Sequence, residues 1–186
     1  MKRRRLHFIV LLFIVAVTAG VLSQLVLGGS DKVTIGNGSV SALQRSSTGA
    51  DSLPARVLAY PFADRNFASK GGQGSRLLRV DGTLRLFAVP GKEGMLCLIE
   101  VDDMAGTAGG ACADRNVLLT GSIFMADRQE DGSQLVVGLV GDGHSYAEAE
   151  GRRVPIRGNA FVLPGVAGSR VKLGSPSAEQ TIDLGG

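Results

Sequence analysis

Cys97 and Cys112 are the only two cysteines in 186 residues, and their spacing limits what they can do. A redox-active pair needs the close C-x-x-C arrangement, which is absent here. In an oxidising compartment an even count reads as a structural disulfide. The sharper alternative is a nucleophilic cysteine, Cys112, which would need a base. Beyond residue 7 the one histidine is His144, in the turn Gly141-Asp142-Gly143-His144, where an exposed polar side chain is the ordinary expectation.

Other side chains with chemical potential are charged. Glu100, Asp102 and Asp103 form an acidic group, with Glu100 and Asp102 on one face if the segment is a strand. Oxygen clusters bind Ca²⁺, but two carboxylates without a ring of carbonyls bind weakly, and a solvated strand end is the expectation. Asp127-Arg-Gln-Glu-Asp131-Gly132 mimics the start of a calcium loop, yet Gly138 stands where the bidentate Glu belongs. Arg152, Arg153 and Arg157 offer a basic patch for an anionic partner such as a wall polymer or lipid, with Glu148 and Glu150 placed to neutralise it across a hairpin. The chain has no G-x-S-x-G elbow, S-x-x-K pair or phosphate-cradling loop. No catalytic residue, metal site or cofactor follows from these patterns.

The compartment is set by the first 27 residues. Met1-Lys-Arg-Arg-Arg5 is basic, and Leu6 to Leu27 carries no ionisable side chain except His7. Phe8 to Leu27 as a helix reaches about 30 Å, the thickness of a bilayer's hydrocarbon core. The basic tip, residues 1–5, stays cytoplasmic, and the chain beyond the 6–27 signal anchor is translocated. The alternative is secretion after cleavage near Ala19, following Val17-Thr18-Ala19. Apolar residues continuing through Leu27 favour the anchor. Lys2 to Arg5 hold four of the 20 basic residues, which leaves 16 Lys and Arg against 17 Asp and Glu. The high pI therefore belongs to the topology signal and is no argument for nucleic acid.

The elements that must position these side chains begin with a spacer. Gly28 to about Gly49 is rich in Gly, Ser, Thr and Asn and reads as a flexible tether. A transition through residue 74 holds two short helical turns, one after Leu53-Pro54 that Pro61 stops, and one near Asp64 to Ala68. From residue 75 to 186 the punctuation is that of a β domain: apolar runs at 77–80, 84–89, 95–101, 122–127, 134–140, 145–149 and 154–156, with Asp81-Gly82, Asp131-Gly132, Asp142-Gly143 and Glu150-Gly151 between them as hairpin signals. Leu135 to Val140 is apolar throughout, as a strand buried on both faces would be. Asp102 to Ala111 reads as a Gly- and Ala-rich loop closed by the cysteines. About eight or nine short strands imply a mainly β fold, one antiparallel sandwich or barrel with one disulfide.

Several short stretches, taken in order, resemble a group of actinobacterial exported or membrane-anchored β-rich proteins of no established activity. They are Ala50-Asp51-Ser52-Leu53-Pro54, Phe87-Ala88-Val89-Pro90-Gly91 leading to Cys97, Gly110-Ala111-Cys112, Val137 to Gly143, and Val154-Pro155-Ile156-Arg157-Gly158-Asn159-Ala160-Phe161. The group usually has Pro where this chain has Gly141. The resemblance implies location and fold, and no mechanism. A comparison with the transpeptidases that sort surface proteins fails, because neither Met95-Leu96-Cys97-Leu98 nor Gly110-Ala111-Cys112-Ala113 matches their Thr-Leu-x-Thr-Cys strand. The expectation is an envelope binding or regulatory module whose partner is a protein or wall polymer. An envelope enzyme and a structural spacer are the alternatives.

Overall fold

The computed structural model describes residues 38–119, 121–176 and 178–184. The membrane segment, the basic tip and the cleavage site expected in residues 1–27 lie outside them. Among the described residues no helix is long and apolar enough to cross a membrane.

The described chain is mainly β, with every strand pair antiparallel. Strands β1 (Arg76–Asp81), β2 (Leu84–Pro90), β3 (Met95–Asp102) and β4 (Thr107–Asp114) form a meander in sequence order. Strands β5 (Ser122–Arg128), β6 (Gln134–Val140) and β9 (Ala160–Val166) form a second sheet, ordered β5-β6-β9. Strands β7 (Tyr146–Ala149), β8 (Arg152–Pro155), β10 (Arg170–Gly174) and β11 (Glu179–Asp183) form the third, ordered β11-β10-β7-β8.

Alternation along β6 shows how the sheets stack. Val137 and Leu139 join Leu86, Leu96 and Leu98 of the first sheet in one core, whereas Val136 and Val140 join Val171 and Leu173 of the third in another. The middle sheet is thus buried on both faces, which is why Leu135 to Val140 lacks polar alternation. Gly138 is required there by packing: a Cβ on it would lie 2.2 Å from Cε1 of Phe161. A third core forms where helices α1 (Ala55–Leu58) and α2 (Pro61–Asn66) cover the outer face of the meander, with Val57, Ala63 and Phe67 against Phe87, Cys97 and Ile99. Pro61 separates the two helices and is also the first residue of the second, where its missing N–H costs nothing.

Most turn signals are realised. Gly82 opens the two-residue β1–β2 loop, and Glu150 and Gly151, both at positive φ, close β7 onto β8. Three readings of the sequence need correction. Asp142-Gly143 is no hairpin; it carries the chain from the second sheet to the third. Asp102 to Ala111 is no loop, since the turn is confined to residues 103–106 and β4 starts at Thr107. The tether cannot run to Gly49. Val40 and Ala42 are 4% and 8% exposed within the first core, although polar composition hides those two apolar side chains.

A clasp holds this N-terminal segment. Asp142 accepts hydrogen bonds from Ser39 Oγ (2.5 Å), the Ser41 N–H (3.0 Å) and Asn159 Nδ2 (2.8 Å). Burial opposes ionisation of Asp142, but these donors outweigh it and hold the carboxyl below its ordinary value. Asn159, at φ 65°, also accepts from the Ala42 N–H at 3.1 Å. Asp142 and Asn159 thus work as structural ties.

Candidate functional site

The groove of interest lies between the two short helices and β4. Val57, Tyr60, Phe62 and Arg65 line it on the helical side, and Ile99 with Ala108 to Gly110 on the sheet side. Its volume is about 310 Å³, at the lower end of small-ligand pockets. Phe62 stacks edge-on to Phe67 with centroids 6.0 Å apart. Asp103 pins α1 over the sheet by accepting from both Arg56 (2.7 Å) and Arg85 (2.6 Å), the latter on β2. Arg85 and then Arg56 pull the Asp103 carboxyl below its ordinary value. Gly110 makes room for the aromatic wall, since a Cβ there would sit 2.7 Å from Phe62 and from Ile99.

Arg65 is the one charged lining residue. It donates from Nε to the Pro61 carbonyl at 3.3 Å, and no carboxylate among the described residues forms an ion pair with it. Tyr60 is 41% exposed at the same wall. The groove therefore offers apolar surface with a single cation beside it.

β4 is the last strand of its sheet. The Gly91 N–H donates to the Met95 carbonyl and the Asp103 N–H to the Thr83 carbonyl, a phase that commits Met95, Cys97, Ile99 and Val101 to β2. The intervening residues of β3 then bond to β4 through Ala113, Ala111, Gly109 and Thr107. The backbone N–H and C=O groups of Ala108, Gly110 and Cys112 face the open edge. That edge runs beside the groove.

Cys97 and Cys112 are bonded, facing each other directly in the β3–β4 register with Cα atoms 4.0 Å apart. Neither thiol is free, as a structural staple requires. The staple joins two neighbouring strands, and the covalent loop it closes is the β3–β4 hairpin itself. His144 is not exposed. It is 9% accessible, with Nδ1 3.1 Å from the Gly141 carbonyl and Nε2 without a hydrogen-bond partner among the described residues.

Glu100 is no solvated strand end either. It is 8% exposed, and burial, with the charges of Asp127 and Asp102, pushes its carboxyl up to about 7. Asp102 shares its face as alternation requires, but its carboxylate caps the turn by accepting from the N–H groups of Met104 and Ala105. Asp131, in the rejected calcium loop, accepts from Ser133 within its own hairpin. Among the described residues no group of three or more potential ligands converges on a metal position.

The three arginines do not make one patch. Successive strand residues point to opposite faces, so Arg152 donates to the Pro164 carbonyl (2.6 Å) while Arg153 pairs with Glu148 (2.7 Å) and stacks 3.8 Å from the Tyr146 ring. The Glu148–Arg153 pairing is the cross-hairpin neutralisation anticipated from sequence. Arg157 is exposed beyond β8. Tyr60, Phe62, Arg65 and the Gly109-Gly110 pair were not singled out by sequence reasoning. The signal that would have found β4 is that two cysteines paired across a hairpin place its turn midway, at Met104-Ala105.

The chain matches no protein-family model, no curated protein and no solved structure.

Proposed function

We propose that the chain is a binding module of the bacterial cell envelope, anchored in the cell membrane by Phe8 to Leu27 and presenting its sandwich-like β domain outside. It would belong with the actinobacterial exported proteins whose motifs it resembles. The observation that carries the reading is the apolar groove with its lone cation beside an unpaired strand edge. Those are features of recognition, and the cysteines that would have supplied a nucleophile are consumed in a disulfide. The partner class that suits such an edge is an envelope protein, ahead of a wall polymer, because the basic residues proposed for an anionic polymer are engaged within the fold or apart from one another.

A photo-crosslinking side chain introduced at Tyr60 in native membranes tests this. A discrete adduct from position 60, absent when the probe stands at the still more exposed Val80, is the expected result. Indistinguishable patterns from the two positions would end the binding-module reading and favour a spacer.

A further inference from the structure

We propose, building on the binding-module reading, that β4 takes up an extended peptide as an added strand, with an apolar side chain in the groove and a nearby carboxylate on Arg65. The outward N–H and C=O groups of Ala108, Gly110 and Cys112 recur every second residue, and an extended backbone is the ligand that complements such a ladder. Gly109 and Gly110 place no side chain between that ladder and an incoming chain. The lining is apolar apart from Arg65, which has no carboxylate partner within the described fold. Charge complementarity therefore selects an acidic peptide over a neutral or basic one. Pairing along Ala108 to Cys112 needs about five residues, some 17 Å of strand.

The Ala108→Pro substitution separates strand addition from other uses of the groove. Its lost N–H faces the open edge, a place where strands tolerate proline. The full chain in mild detergent is used to select from a randomised heptapeptide library on phage, with the Ala108→Pro chain selected in parallel. Circular dichroism checks that both are folded.

Enrichment of peptides with an apolar residue next to Asp or Glu, bound at least 10-fold more weakly by the Ala108→Pro and Arg65→Glu chains, is the expected outcome. N-methylation of alternate amides in a selected peptide should weaken it by a similar factor. Equal binding of methylated and unmethylated peptide would overturn the proposal, because the ladder would then be unused. So would a selection that enriches nothing. Saturable decanoate binding without peptide binding would overturn it too, making the groove an acyl site while leaving the binding-module reading intact.

Discussion

Glu100 is the most informative single position for testing the packing described above. It lies in β3 on the face that meets the second sheet, opposite Leu86 of β2 and Gly109 of β4. Asp127 of β5 and Asp102 of its own strand are the charges that act on it, and both are negative. Burial is the larger cause, and no cation among the described residues offsets it. Its ordinary value is 4.5 and the folded value about 7. In the unfolded chain the carboxyl ionises freely above pH 4.5, whereas in the fold it keeps its proton until about 7. Stability therefore falls as pH rises between those values. At about 1.4 kcal/mol for each pH unit of separation, the loss has an upper bound of about 3.5 kcal/mol by pH 8.5.

Glu100→Gln keeps the shape and removes the titration. Urea unfolding of both chains, with the disulfide intact, should give nearly equal stabilities at pH 4. At pH 8.5 the Gln variant should be ahead by about 2 to 3 kcal/mol, with pH effects common to both chains cancelling in the comparison. Added salt should shrink the part of the gap that comes from Asp127 and Asp102. Stability curves that stay parallel across the range would refute the argument, because they would mean that Glu100 is hydrated in the fold.

Gly138→Ala should cost roughly 1 to 3 kcal/mol through collision with the Phe161 ring, seen as a lowered melting temperature; an unchanged melt would mean that the middle sheet is loosely packed there. For Asn159→Ala, the loss of bonds to Asp142 and Ala42 together with an unfavourable φ for alanine predicts a loss of about 2 to 3 kcal/mol. Faster hydrogen exchange at the Ala42 amide would accompany it, and continued protection there would show that the clasp holds without Asn159. Replacing both cysteines by serine should remove up to about 3 kcal/mol, as expected for a closed loop of this size, and should raise exchange at Ala111 and Ala113 more than in β6. Uniform acceleration would mean that the staple acts through the unfolded chain alone.

What the sequence revealed and what it concealed follow from the range of the signals. Turns are local, so Asp81-Gly82 and Glu150-Gly151 were readable from residue type. The doubly buried β6 was readable because six consecutive residues, Leu135 to Val140, lack a polar side chain. Strand β4 was hidden because Ala-Gly-Gly-Ala-Cys-Ala after Thr107 has neither β-branched bulk nor alternation, and its place in the sheet is set by its partner β3. Strands β9, β10 and β11 lie beyond the last run legible at 154–156: Pro164-Gly165 interrupts the first, and the other two have only five residues each, with at most two large apolar side chains. Asp142-Gly143 misled because a turn signal says where a chain bends and not which strand it joins next. The segment around Val40 was concealed by its polar neighbours, whose hydroxyls prove to be ligands of Asp142 and Asn159. The groove itself was illegible, for it is built from a helix turn and a strand some 45 residues apart in sequence.

The disulfide and the open edge make sense together. An edge strand is ordinarily held by side chains packed on both faces as well as by its one hydrogen-bonded neighbour. β4 has almost none of the first: alanines and glycines fill Ala108 to Ala111, and only Cys112 and Ala113 follow before Asp114. Larger side chains would have filled the groove or collided with Phe62, as Gly110 shows. A strand kept bare so that its backbone can be approached loses the packing that would keep it in place. The covalent tie from Cys112 to the fully buried Cys97 replaces that packing at a position on the groove face, beneath the helices. On this argument the staple and the bare sequence are one device, and reduction of Cys97–Cys112 should weaken peptide capture at β4 before it unfolds the rest of the domain.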